Sequence, residues 1–425
     1  MRLSGISRKS TDVGTYYTYL SLLAFKLFET NSIGLSPSDF AALHEQFENE
    51  YAMRKNREEM IQQLQDARIL GSVGDDIGFL HKYCYYFFVA NYFQKVLADN
   101  PQDQAVKSKL RQMADMVHDD EYMNILIFYI YLTEDRQIIE YLIERAKGFF
   151  DEYPPCDLEN DVAFVVDLMK PRKLEMSPGA FQKNRERHQE QKDEAMENEE
   201  EKEKTAARTK YDRSLDDSIR LDFAFHALQV MGQVLRNFPG DLRADLKRQL
   251  AHESYALGLR TMKAYMTALE TNVVEIRESI ESMLKFYRAK TDDAAQRESS
   301  QILANLAEAG IFITIKRVSF SVGLEDLRET YASVRKGFGE SFLPTRLIDL
   351  SIQLDHFPKL PMSDIKELQK STKGIVPYNI LLMLVNERLH LFPVDYRDRQ
   401  RISDWFKVDL RASLIADKKV VKEQE

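Results

Sequence analysis

Tyr83-Cys84-Tyr85-Tyr86-Phe87-Phe88-Val89-Ala90-Asn91-Tyr92-Phe93 is the stretch on which the fold turns. Tyr85, Phe88 and Tyr92 recur at spacings of three and four, and Tyr86 and Phe93 occupy the adjoining face, so the stretch predicts a helix. A helix that is apolar on nearly every side belongs inside a core. The same rings could form a stacking platform for bases, but their helical spacing favours a domain core.

Upstream, Tyr16, Leu20, Leu23, Ala24, Leu27 and Phe28 mark one buried face of a first helix. Ser36-Pro37-Ser38-Asp39 is a helix start: Ser36 caps, Pro37 suits the first helical position, and Asp39 answers the cap. The second helix runs from Phe40 to Tyr51 and a third from Arg57 to Leu70. Gly71, Gly74 and Gly78 then break the helical pattern around an apolar–polar alternation from Val73 to Leu80, which reads as a two-stranded wing. Three helices, a wing and the aromatic helix make a winged-helix-like unit over residues 1–100.

Downstream, three or four helices are expected between Gln102 and Met169, giving a helical domain over residues 101–180. Residues 181–204 hold nine acidic and six basic residues and almost nothing apolar. This segment reads as a charged linker or a solvated helix and as the best domain boundary. Beyond it, Leu221, Ala224, Leu228, Met231, Leu235 and Phe238 step by three and four until Pro239-Gly240. A second helix carries Leu242, Leu246, Leu250, Leu257 and Met262; a third carries Val273, Ile276, Ile280, Met283 and Leu284. Further helices follow at Ile302–Phe320, Leu324–Arg335, Leu347–Leu354, Ile365–Leu368 and Ile380–Leu391. Residues 205–425 therefore read as a helical, repeat-like domain, an α-solenoid or irregular bundle, and the fold class as mainly α.

Composition agrees. The 425 residues are 44% apolar and 30% charged, with only 16 Gly and 12 Pro to interrupt long helices. A net charge of -9 disfavours a general nucleic-acid binder. Two cysteines, Cys84 and Cys156, are too few for a disulfide framework, and Cys84 reads as a buried thiol. The first residues carry no apolar signal-peptide core, and the longest apolar stretch, Tyr122 to Leu132, is far shorter than a membrane span. A cytoplasmic protein without a membrane partner is expected.

No cluster in the sequence carries recognisable catalytic chemistry. A phosphate cradle of the form GxxxxGK[ST] does not occur; Lys336-Gly337-Phe338-Gly339-Glu340-Ser341 follows a helical pattern and reads as a helix end. His81 and Cys84 have the spacing of a metal-ligand pair, but tetrahedral zinc needs four ligands. His118-Asp119-Asp120-Glu121 reads as a helix cap favoured by the helix dipole rather than a cation site. His188 lies in the charge run, and His44, His226, His252, His356 and His390 stand alone on helical patterns. No catalytic, cofactor-binding or metal-ligating residue is assigned, and no cofactor. A winged helix raises the possibility of DNA reading through the third helix. Here that helix carries Glu58, Glu59 and Asp66 beside Arg57 and Arg68, and the wing carries Asp75 and Asp76. Only Arg54, Lys55 and Arg57 form a small basic cluster. Trp405-Phe406 reads as the seat of the last helix or an interface.

The order of these elements resembles the region that follows the ATPase core in bacterial STAND/NACHT-type P-loop NTPases. The resemblance rests on the aromatic helix Tyr83 to Phe93, on Glu121-Tyr122-Met123-Asn124-Ile125-Leu126-Ile127-Phe128 with Leu132-Thr133-Glu134-Asp135, and on Pro154-Pro155-Cys156-Asp157. It covers roughly residues 10 to 170. In that family a P-loop ATPase domain precedes a winged helix and a helical sensor half, and such proteins act as anti-phage and programmed-death regulators. No Walker motif precedes Tyr16, so the family's ATP-binding residues have no counterparts here, and a fragment or split gene product is expected. The resemblance implies a non-enzymatic regulatory and sensor module that binds protein, either an ATPase subunit or a phage protein. A winged-helix DNA-binding regulator and an enzyme whose site assembles from scattered residues are the alternatives.

Overall fold

The computed structural model describes residues 13–174, 184–186, 209–288 and 291–407. The fold is mainly α, with one two-stranded sheet among the described residues. The charged segment 181–204 lies outside the described residues apart from 184–186, as does His188. The chain divides into two compact units, one up to Leu142 and one from Ile143.

The first unit opens with α1 (Val13–Thr30), α2 (Pro37–Glu50) and α3 (Arg57–Asp66). All six α1 residues expected on the inner face are buried. Ser36 caps α2 by accepting from the Asp39 N–H at 3.2 Å and donating to the Asp39 carboxylate at 2.6 Å. Asn56 caps α3 through the Glu59 N–H at 3.0 Å. The third helix stops at Asp66, four residues short of the expected Leu70. Arg68 turns into the left-handed region at φ 54°, and the chain enters a strand. Strand β1 (Leu70–Val73) pairs antiparallel with β2 (Asp76–Phe79), Leu70 against Phe79 and Val73 against Asp76. The hairpin therefore begins at Leu70 rather than at the expected Val73. Gly74, at φ 64°, supplies the positive φ that a two-residue hairpin turn needs at its first position. Leu35 extends the hairpin by an isolated antiparallel bridge to Ile77, with both N–H···O bonds at 3.0 Å.

The aromatic stretch forms α4 (Lys82–Asp99), followed by α5 (Gln104–Asp115), α6 (Asp120–Thr133) and α7 (Arg136–Lys147). Helix α4 packs chiefly on α1 and α6. Phe88, Val89, Ala90 and Phe93 are buried, while Tyr85 and Tyr92 are half-buried and Tyr83 is exposed. The buried face is thus rotated from the expected Tyr85–Phe88–Tyr92 row, because α1 and α6 hold α4 from two sides. Asn91 donates to the Ser21 hydroxyl at 2.7 Å, joining α4 to α1. Tyr85 donates to Glu121 at 2.7 Å, joining α4 to α6.

In the second unit, a short α8 (Ala163–Val166) precedes α9 (Asp217–Asn237), α10 (Ala244–Thr271), α11 (Val273–Arg288) and α12 (Asp292–Val322). Then come α13 (Arg328–Phe338), α14 (Leu343–His356), α15 (Met362–Ser371), α16 (Ile375–Leu391) and α17 (Tyr396–Phe406). Helix α12 is the hub: it packs on α8, α9, α10, α11, α14 and α16. A solenoid repeat touches only its sequence neighbours, so this arrangement is the irregular bundle of the two alternatives. Close approach of α12 to α9 depends on Gly232, where a Cβ would come within 2.3 Å of the Ser321 carbonyl oxygen. Helix α11 departs from expectation. Of Val273, Ile276, Ile280, Met283 and Leu284, only Leu284 is fully buried.

Candidate functional site

Among the described residues, the places that gather polar chemistry include the α3–hairpin surface of the first unit and two clefts in the second. In the first unit, His44 on α2 sits between the Tyr19 hydroxyl, 3.2 Å from Nδ1, and the Lys55 carbonyl oxygen, 2.9 Å from Nε2. Glu48 accepts from the Lys55 N–H at 2.9 Å and from Arg54 at 3.2 Å. The Lys55 N–H and the adjacent Arg54 charge hold the Glu48 carboxyl below its ordinary range. The basic cluster at the start of α3 is thus partly spent on fixing α2 to α3. Along α3 the exposed side chains are Glu58, Glu59, Gln62, Asp66 and, past its end, Arg68, and Asp75 is exposed at the hairpin tip. This is a neutral-to-acidic surface, the opposite of what phosphate neutralisation requires.

The residues considered as ligands from sequence have local roles. Asp119 caps α6 by accepting from the Tyr122 N–H at 3.0 Å. His81 stands at the N-terminal boundary of α4, with Cys84 in its first turn. Cys84 is half-buried rather than buried, and Cys156 is buried; burial raises both thiols, which keeps them protonated. Gly339 ends α13 at φ 105°, so Lys336–Ser341 is a helix terminus. The His226 Nδ1 bonds its own helix through Asp222 O at 2.8 Å. Burial lowers His252 and His356 below the usual imidazole range. Among the described residues no group of three or more His, Cys, Asp and Glu is arranged to hold a metal ion.

Sequence reading assigned neither cleft of the second unit. The first, about 410 Å³, lies between the C-terminal end of α7, the first half of α10 and α13. Ile143 and Val334 provide apolar walls, and Lys147, Arg248 and His252 line its open side. The His252 ring stacks on Phe338 at 4.7 Å and 15°. At its base Glu253, raised by burial, pairs with Arg260 at 2.7 Å. Arg260 also donates to the Ala146 and Phe149 carbonyls at 3.0 and 3.1 Å, satisfying acceptors at the end of α7.

The second cleft, about 290 Å³, is lined by Arg335, Glu340, Arg346, Asp349, Asp364 and Glu367. Arg346 pairs with Glu367 at 2.7 Å, and Gln353 donates to Asp364 at 2.7 Å. Asp349 is buried at its floor, accepts from the Tyr255 hydroxyl at 2.7 Å and pairs with Arg335 at 3.1 Å. Burial pushes the Asp349 carboxyl up to about 6, against the opposing pull of Tyr255 and Arg335. Because the folded value exceeds the unfolded one, the folded state binds the extra proton between about pH 4 and 6. Asp349 therefore contributes most below about pH 4, and its contribution is lost as pH rises through about 6. Asp349→Asn should remove a fall in stability on the order of 1–3 kcal/mol between about pH 4.5 and 7.5. Thermal melts of both proteins at the two pH values test this, and identical pH dependence would contradict it. The Arg346–Glu367 and Gln353–Asp364 contacts, with the two bonds to Asp349, lock α10, α13, α14 and α15 together.

Among the described residues, no helix is long and apolar enough to cross a membrane. No curated protein and no solved structure matches the chain. A family model described as Novel STAND NTPase 4 matches residues 34–89. The matched stretch starts beside the Leu35 bridge, takes in α2, α3 and the hairpin, and ends in α4 next to Phe88. Over these residues the chain is similar to the STAND-type NTPases.

Proposed function

We propose that the chain is a non-enzymatic regulatory module of a STAND-type system, with residues 34–89 in a winged helix and the helical second unit as a sensor that binds protein. The observation that carries this reading is where the family match falls. It covers the two capped helices, the hairpin and the start of the aromatic helix, and a large unit built of helices among its described residues follows. The neutral-to-acidic exposed surface of α3 and the hairpin supports a protein partner over DNA. The lack of a GxxxxGK[ST] sequence supports a role without nucleotide chemistry of its own. A P-loop ATPase chain or a phage-encoded protein is the partner class that fits, within anti-phage defence in the cytoplasm.

The test is affinity purification of the tagged chain from its host, with and without phage infection, followed by rebinding of purified components. The expected result is recovery of a P-loop ATPase chain or a phage protein that rebinds saturably. The DNA-binding alternative is measured beside it by fluorescence anisotropy on duplex DNA across a salt series. Sequence-specific duplex binding, with no protein that rebinds, would contradict the proposal.

A further inference from the structure

Residues 170–174 follow α8 without regular secondary structure and run over α12 and α16. One side-chain amide holds their backbone. Asn379 on α16 is fully buried; its Oδ1 accepts from the Arg172 N–H at 2.9 Å, and its Nδ2 donates to the Lys170 carbonyl at 3.0 Å. The two bonds straddle Pro171, which has no N–H to place and keeps the chain extended through itself and Lys170. Two turns further along α16, Asn386 donates to the Lys173 carbonyl at 3.4 Å. The Arg172 guanidinium meets Glu308 on α12 through Nε and Nη2, both at 2.6 Å. Glu308 is 2% exposed, and its other oxygen accepts from the Asn379 amide. Among the described residues, Arg172 is the cation paired with it. Met169 and Leu174, on either side, are buried, while Lys170, Pro171 and Lys173 are exposed.

We propose that α12 and α16 form a receptor groove for an extended protein segment, filled in this chain by its own residues 169–174. A partner segment takes their place if it reads apolar, any residue, Pro, Arg, any residue, apolar. Each contact above comes from one short linear stretch, so a separate peptide of the same sequence can make all of them. The bonds from Asn379 and Asn386 reach main-chain atoms and accept any extended backbone. Selection falls to the fork on Glu308, which a lysine ammonium cannot reproduce. An empty groove would leave the Glu308 carboxylate buried without a cation, so the site favours exchange of one arginine segment for another over vacancy. This inference rests on the protein-binding reading of the second unit and not on the family match.

The test uses the full chain and a fluorescein-labelled peptide of residues 168–174, capped at both ends, followed by anisotropy. In the wild type the tethered segment competes at an effective concentration on the order of millimolar. Arg172→Ala weakens that competitor, so the variant chain should bind the peptide about ten-fold or more tightly than the wild type does. A peptide carrying Arg172→Ala should bind the variant chain about 10- to 100-fold more weakly. Adding Glu308→Gln to the chain should erase the difference between the two peptides. Arg172→Lys, which keeps a cation beside Glu308 without the fork, should shift peptide binding the same way by a smaller factor. It replaces Arg172→Ala where circular dichroism shows lost helix. No saturable binding by the folded variant, or equal binding of the two peptides, would overturn the proposal and make the segment a fixed tie. Such a result removes the groove alone, since the affinity purification above reads protein binding by any surface.

Discussion

Lys316→Met should destabilise the second unit by about 3–5 kcal/mol at neutral pH, the cost of leaving two largely enclosed carboxylates, 11% and 17% exposed, without their cation. Lys316 is buried in α12. Its ammonium donates to both oxygens of Asp355 on α14 at 2.8 Å and also to Glu387 on α16. Ser319 adds a bond to Asp355 at 3.1 Å, and the ammonium lies 4.7 Å from the centre of the Phe320 ring. Three helices of the bundle thus meet on one cation. The cost arises from the unpaired anions, not from the lost attraction alone. A triple variant, Lys316→Met with Asp355→Asn and Glu387→Gln, should therefore recover most of the loss. Urea unfolding of the wild type, the single variant and the triple variant separates these cases. A single variant within about 1 kcal/mol of the wild type would mean that the ions behave as a solvated surface pair.

Phe88→Ala should cost about 3–5 kcal/mol and weaken the cooperative melt of the first unit. The ring is fully buried and meets Tyr17 edge-on at 5.4 Å and Phe79 in a stack at 6.0 Å. It therefore ties α1, β2 and α4 together, and its removal leaves a cavity at their junction. Tyr83→Ala, on the same helix but 62% exposed, should stay within about 0.5 kcal/mol of the wild type. Thermal melts of the full chain followed by circular dichroism compare the two. An unchanged midpoint for Phe88→Ala would remove the core role of the aromatic helix and return it to an exposed stacking or partner surface.

The elements legible in the sequence are those whose burial follows from local spacing. The α1 stripe from Tyr16 to Phe28 packs inward as its spacing of three and four requires. The Ser36 cap, the Asp119 cap and the turn at Gly339 appear because each is a property of a few consecutive residues. Errors of a few residues arise where tertiary pairing overrides local pattern. Leu70 continues the helical apolar spacing of α3, yet it joins a strand because Phe79 offers it a partner. Periodicity also fails to say how far an apolar stripe is covered: α11 carries the same pattern as α10 but fully buries only Leu284 of its stripe. The clefts were illegible for a different reason. Lys147, Arg248, His252 and Val334 come from three helices far apart in the chain, and no local signal links them. The bond between the Arg172 N–H and Asn379 at 2.9 Å, and the Arg172–Glu308 pair at 2.6 Å, are of the same kind. Such contacts follow from the packing of the bundle.

The central claim is a regulatory module that carries no nucleotide chemistry of its own. Its most direct test is titration of the purified chain with ATP and Mg²⁺ by calorimetry, with phosphate release measured on the same sample. The account predicts no saturable heat in the micromolar range and no phosphate release above the uncatalysed rate, because the sequence contains no GxxxxGK[ST] motif. Saturable micromolar binding, or Mg²⁺-dependent turnover, would contradict it.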